Sequence, residues 1–472
     1  MTGFVRRPGI TLAVVALAIT LVLAWQTALL IAFPELGRSL DASGSDLQWI
    51  LDIYPVVLAC LLVPAGALGD RYGHKRILRI GLVVFVAATI GVAVSHSVGV
   101  VIALRAVTAI GAALVFPSTL AAITTSFPPA QRARGVAVWT TAAILGGFGG
   151  VLYAGVVLEF SSWRAIAWTT AIVGAVLLIG TGIGMPPDVR DSGVSLDPVG
   201  AVIATVGIAA VVYGIVESPT YGLGSARILV SLIGGLATSA GFVAWERRCP
   251  RPLLDVRALT GPKVGIGLLG VTGQFLVAFG TLYPLVQYLQ SIRGDSPLKT
   301  GAVLMVFGGL LVPAAALGPW LRSRATRGML ISLGFVALGV AVQLMALLKV
   351  GSSFGLYVLC ALVFGLGIGL AQGPLTESII EALPSHAQGM ASALNDVTRE
   401  LGAALGLAIT GAVITAATNN ATLTGLDHGL HQAFVSIGIV ALLTAGVVLV
   451  LDAKVRGATN GSVGIVAGGD ET

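Results

Sequence analysis

Gly66-Ala67-Leu68-Gly69-Asp70-Arg71-Tyr72-Gly73-His74-Lys75-Arg76 is a short charged stretch set between two long apolar runs. Its glycines permit a tight turn and close helix approach. Asp70, with the cations Arg71, Lys75 and Arg76, forms a charge cluster of the kind that holds one conformation and releases in another. The flanking runs are each long enough to cross a bilayer, which takes about 20 apolar residues. The stretch therefore reads as a hinge loop between two membrane helices.

Outward from this loop the pattern repeats. The 472 residues are 56% hydrophobic and 10% charged, against roughly 25% charged for soluble globular chains. The 63 glycines suit close packing of membrane helices. Fourteen apolar runs follow one another, from 10–33 to 431–452, the tenth at 300–320. The first is too long for the core of a signal peptide and reads as a retained helix. With both ends cytoplasmic, 19 of the 27 lysines and arginines fall in inside segments, 6 outside and 2 within helices. That bias matches the positive-inside rule and an even number of passes. The fold class expected is an all-α polytopic membrane protein of fourteen helices.

The chain also echoes itself. Gly111–Pro128 (GAALVFPSTLAAITTSFP) and Gly367–Pro384 (GIGLAQGPLTESIIEALP) both run from a glycine-rich helix through a mid-helix proline to a loop proline. Gly66–Arg76 is echoed by Leu317–Arg327. Repeated halves around a central site are a common transporter plan. The expected division is 1–185 as a six-helix bundle, 186–262 as an inserted helix pair with linkers, 263–452 as a second six-helix bundle, and 453–472 as a cytoplasmic tail.

Several chemistries find no support. The basic residues are scattered, without a patch interleaved with aromatics, so no nucleic-acid partner is expected. Cys60, Cys249 and Cys360 have no metal or disulfide spacing, and His428 and His431 are the sole close histidines. No metal or cofactor is expected. No nucleophile–base arrangement or phosphate-binding loop is present, so the chain does not read as an enzyme or an ATP-driven pump.

The loop motif, the stretch Asp41–Arg76, RPLLDVRAL (Arg251–Leu259), SPLKTGAVL (Ser296–Leu304) and ASALNDVTRELGAALGLA (Ala391–Ala408) together resemble the major facilitator superfamily. The resemblance is to its fourteen-helix drug:proton antiporter branch of multidrug and quaternary-ammonium exporters. It implies alternating access around a midplane cavity, driven by the proton gradient in the cytoplasmic membrane, with a small hydrophobic drug or metabolite as cargo and a monomer as the working unit. It also implies that Gly66, Asp70, Arg71, Gly73 and Arg76 form a conformational latch.

Charges within membrane helices are costly and are functional candidates. Asp52, Arg105, Asp396 and Glu400 are the candidates for proton coupling. Arg105 and Gly111 match the branch's helix-four motif, although Thr108 stands where glutamine is common. Arg105 serves coupling or is satisfied by backbone carbonyls. Asp396 and Glu400 share one helix face at i, i+4. They carry protons, or Arg399 neutralises one of them. Candidate cavity residues are Trp25, Gln26, Tyr54, Gln287 and Gln372, with Gln274 and Tyr288 as further polar groups. Gly111, Gly146, Gly150, Gly155, Gly402 and Gly406 are candidates for close helix packing.

Two branch features are replaced. Trp25 occupies the helix-one position at which the branch carries an acid, and Leu30 the position of an asparagine. Val151 stands for the proline of the helix-five motif, which leaves Gly146-Gly147-Phe148-Gly149-Gly150 without its expected kink. Both weaken the expectation of cationic cargo and strict antiport. Export of a lipid-like metabolite without strict antiport, and a non-transporting scaffold, stand as alternatives.

Overall fold

The computed structural model describes residues 8–184, 197–250, 256, 261–381, 388–417 and 423–466. These residues are almost wholly helical. Helices α1 (Pro8–Ile31), α2 (Phe33–Leu40), α3 (Gly44–Tyr72), α4 (His74–Val94), α5 (Val98–Ser126), α6 (Pro129–Phe160) and α7 (Trp163–Gly184) make up the first part of the chain. Then come α8 (Pro198–Val216), the single turn α9 (Ser218–Tyr221) and α10 (Ala226–Glu246). The last part comprises α11 (Pro262–Gln287), α12 (Pro297–Val306), α13 (Leu311–Ala316), α14 (Gly318–Arg322), α15 (Arg327–Met345), α16 (Phe354–Ile380), α17 (Gln388–Ala417) and α18 (Leu423–Val466).

Local chemistry sets the boundaries. Ser43 caps α3: its side chain accepts from Asp46 N–H while the Asp46 carboxylate accepts from Ser43 N–H. Gly73, at φ 100°, lets α3 end and α4 begin within one residue. Asp197 caps α8 through the Gly200 amide.

Thirteen helices among the described residues are long and apolar enough to cross a membrane. The tenth expected run, 300–320, is not one helix but the succession α12, α13 and α14. The reason is local. Gly308 and Gly309 interrupt the run, and around them the bonds tighten to i→i−3, from Phe307 to Leu304, Gly308 to Met305 and Gly309 to Val306. Pro313 and Pro319 then each withhold an amide donor. At the other end of the chain α18 continues to Val466, fourteen residues into the stretch expected as a tail.

Two groups of helices pack internally. In one, α1 lies on α6 and α7, while α5 lies on α3 and α4. In the other, α11 lies on α16, α17 and α18, and α15 lies on α16 and α18. The groups meet along α3–α17 and α6–α12. The α8–α10 pair seats on α3 and α17, where the Trp49 indole N–H and the Ser45 hydroxyl both donate to Glu217, at 2.9 and 3.0 Å.

Glycines set the spacing at these seams. A Cβ on Gly150 would lie 2.5 Å from Ala24 Cα, and one on Gly146 would lie 2.7 Å from Thr20 O, so α1 and α6 touch backbone to backbone. Gly111 abuts the Phe85 amide of α4. Gly402 and Gly406 of α17 abut the Thr272 and Leu276 carbonyls of α11. Gly155 differs in kind: it meets Pro297 O of α12 and lies at the seam between groups. With Val151 in place of proline, α6 runs unbroken from Pro129 to Phe160.

Candidate functional site

A cavity of about 190 Å3 lies between α1, α6, α11, α13, α16 and α17. Its wall is mainly aromatic and aliphatic, with a minority of amides and hydroxyls. Phe148, Phe275, Phe279, Leu23 and Ile144 face Gln26, Thr27, Thr140, Gln274 and Gln372, and Arg399 and Glu400 supply one charge of each sign.

The central contact crosses the cavity. Gln26 Nε2 of α1 donates to Glu400 Oε2 of α17 at 2.7 Å. Both side chains are buried, at 6% and 7% exposure. One turn before Glu400, Asp396 lies 3.7 Å from the Arg399 guanidinium. That guanidinium also stacks 4.7 Å above the Phe275 ring, an arrangement that stabilises a cation away from water. Gln372 donates to Thr376 at 3.4 Å, and Thr376 donates to Asn395 at 3.4 Å, which continues the polar strip toward Asp396.

Beyond Gln26 and Glu400, on the side remote from the Gly66–Arg76 loop, the two groups are joined. Gln48 donates to the Ala408 carbonyl at 2.9 Å and Gln290 to the Ile31 carbonyl at 3.1 Å. The Phe33 and Tyr283 rings meet edge to face at 5.1 Å, and Gly155 closes on Pro297. The Gln26–Glu400 bond is thus where this closed end meets the cavity.

The structure separates the four ionisable candidates. Asp396 and Glu400 stand together with Arg399 at the cavity. Arg105 does not join them. It is fully buried, donates through Nε to the Ile50 carbonyl at 3.1 Å, and lies 4.7 Å from the Tyr54 ring and 5.4 Å from the Trp25 ring. Its two terminal nitrogens have no hydrogen-bond partner among the described residues. Asp52 is also fully buried. It stands two residues from both Ile50 and Tyr54 and so on the opposite face of α3.

Trp25 and Tyr54 do not line the cavity, contrary to the sequence reading. Trp25 is 1% exposed and gives Arg105 an aromatic face at the position where a carboxylate was expected. The Tyr54 hydroxyl donates to the Val22 carbonyl at 3.0 Å and serves to tie α3 to α1. Gln287 is buried off the cavity wall. Gln26 and Gln372 are on this wall.

At the loop, the Asp70 carboxylate is met by His74 Nε2 at 3.0 Å, a partner outside the cations expected for the latch. The i, i+4 spacing across the Gly73 turn brings them together, and a Cβ on Gly69 would strike the His74 ring. Arg71 lies over the Tyr72 ring at 5.5 Å. The echo loop has its own cluster: Arg327 bonds Glu381 at 2.6 Å, and Arg322 and Arg327 each lie 3.6 Å from Glu377.

Sequence reasoning passed over Arg399 as a wall residue and missed Thr27, Thr140 and the phenylalanines. One signal was available. Gln274, Phe275, Ala278, Phe279 and Leu282 recur at the i, i+1, i+4, i+5 and i+8 spacing of a single helix face.

Comparison with known proteins follows from this architecture. The family model described as Major Facilitator Superfamily matches residues 14–407. The cephamycin export protein CmcT of Amycolatopsis lactamdurans is 31% identical over 448 residues, which cover 92% of this chain and 90% of that protein. The tetracenomycin C resistance and export protein of Streptomyces glaucescens is 27% identical, over 88% of this chain and 77% of its own length. The methyl viologen resistance protein SmvA of Salmonella typhimurium is 31% identical, over 87% and 83%. Among solved structures, the POT family transporter PepTSo superposes with a TM-score of 0.70 at 16% identity, over 95% of this chain and 98% of that one. A bacterial homologue of the human lysosomal transporter Spinster, inward-facing and unoccupied, gives 0.67 at 15%, over 94% and 97%. These two share the fold. With the matched family model spanning most of its length, the chain belongs to the major facilitator superfamily and is a multi-pass membrane transporter, not an enzyme.

Proposed function

We propose that this transporter exports small, largely hydrophobic drugs or metabolites across the cytoplasmic membrane in exchange for protons. The observation that carries the reading is Glu400: an acid on the cavity wall, bonded across the cavity by Gln26 and flanked by Arg399 and Asp396. An acid so placed is open to a proton and to cargo at one point, and competition between them is what exchange requires. The relatives named for export of cephamycin and of tetracenomycin C support a small-molecule cargo.

The working architecture is six, two and six passes, with α12–α14 as the broken tenth pass and both termini cytoplasmic. Pro117 and Pro374, each inside a helix (α5 and α16), support the repeat of the two six-pass bundles. The protein works as a monomer. Its closed end faces outward, so cargo enters from the cytoplasmic side. At about 190 Å3 the cavity is below the roughly 300–1,000 Å3 of drug-sized sites, so the two bundles part as cargo enters.

A second reading, movement of a lipid-like metabolite without strict exchange, draws on Trp25 and on the unbroken α6. Inverted membrane vesicles separate the two. Under exchange, tetracenomycin C accumulates when the vesicle interior is acid, and the accumulation is lost when the gradient is collapsed. Accumulation that ignores the gradient would overturn exchange and leave the second reading.

A further inference from the structure

Gln274 sits on α11, 1% exposed, on the cavity wall. Its Nε2 donates to the Ile368 carbonyl of α16 at 2.9 Å. That bond fixes the amide. Turned over, it would set two acceptor oxygens against each other. The consequence is an orphan: Gln274 Oε1 is buried and has no hydrogen-bond partner among the described residues. A buried carbonyl oxygen is normally satisfied, and one that is not calls for an explanation.

The surroundings state what would satisfy it. Phe275 and Phe279 continue the same helix face, and Phe148 of α6 lies on the same wall, so the cavity that Gln274 lines is rich in aromatic rings. The charged groups on the wall, Arg399 and Glu400, are of opposite sign, and Glu400 is already engaged by Gln26.

We infer that Gln274 is a specificity-determining residue that accepts a hydrogen bond from the substrate, selecting aromatic compounds that carry a hydroxyl or N–H at that point. The inference rests on the export reading above and names the cargo class of the same cavity. Discrimination of this kind is strong because an analogue lacking the donor leaves the oxygen unpaired in a dry site. The expected preference is about ten- to a hundredfold.

The test compares a matched pair of probes, 9-phenanthrol and 9-methoxyphenanthrene, which differ by donor against methyl ether. Binding to the full-length protein in lipid nanodiscs is followed by probe fluorescence. The wild type is expected to bind the phenol about ten- to a hundredfold more tightly. In Gln274→Leu the phenol is expected to fall to the affinity of the ether, which itself holds. Equal binding by the wild type would overturn the inference without recourse to any variant. So would a preference for the phenol that survives in Gln274→Leu, or failure of both probes to bind. None of these outcomes bears on gradient-driven export, which the vesicle assay reads separately.

Discussion

Arg105 is a cation held without a carboxylate partner among the described residues. Its guanidinium lies between the Tyr54 and Trp25 rings and bonds one backbone carbonyl. Trp25 is therefore a structural partner of Arg105, and it fills the position at which the sequence resemblance placed a cargo-attracting acid. Trp25→Asp is expected to pair with Arg105 and to leave cation export unchanged, as read by methyl viologen tolerance of cells carrying the variant. Trp25→Ala is expected to destabilise the protein by about 3–5 kcal/mol through the lost aromatic volume, seen as a fall in unfolding temperature in detergent, with Trp25→Phe much milder. At Gly73 the backbone at φ 100° excludes a side chain. Gly73→Ala is expected to cost about 1–3 kcal/mol, measured in the same assay. At this scale the sequence shows which residue types are out of place in a membrane, because a lone Asp or Arg in an apolar run is conspicuous. Pairing is hidden: Asp52 and Arg105 lie in apolar runs alike, yet Arg105 of α5 packs on the Ile50–Tyr54 face of α3 and Asp52 lies on the other face.

Among the elements, α1, α6, α12 and α17 carry the argument. Their meeting is made of small residues and a few polar bonds that can come apart. Gly155 sits against Pro297 O at the closed end. Gly155→Val would wedge α6 from α12 there without touching the internal α1–α6 seam of Gly146 and Gly150. The variant is expected to fold, to transport poorly, and to expose the closed end. A cysteine at Thr415, which packs near Gly44 on α3, should then react faster with a membrane-impermeant maleimide; an unchanged rate would contradict the seam. Gln26→Leu removes the bond where the closed end meets the cavity. A hydrogen bond to a charged group is worth about 1.5–3 kcal/mol, so the same cysteine should again label more readily, by about tenfold or more. The helices themselves were largely legible, because a bilayer demands some 20 apolar residues and little else meets that demand. The exception is 300–320, where composition reads as one pass and the Gly308-Gly309 pair with two prolines makes three short helices.

In the whole molecule, the cavity is a product of assembly. Six helices from both ends of the chain contribute to its wall, and residues 374 positions apart meet across it. No local pattern encodes that meeting, which explains why the sequence could rank Gln26 and Glu400 as candidates but could not join them, and why Trp25, Tyr54 and Gln287 seemed equally good. The central claim is that this meeting point couples cargo to protons. It is tested most directly in proteoliposomes that carry the transporter and a trapped pH-sensitive dye, with a cargo gradient as the sole driving force. In the wild type, cargo running downhill is expected to drive protons the other way, seen as a pH change inside the vesicle. In Glu400→Gln, cargo should still move while the pH signal is lost. A pH signal of wild-type size in Glu400→Gln would contradict the account.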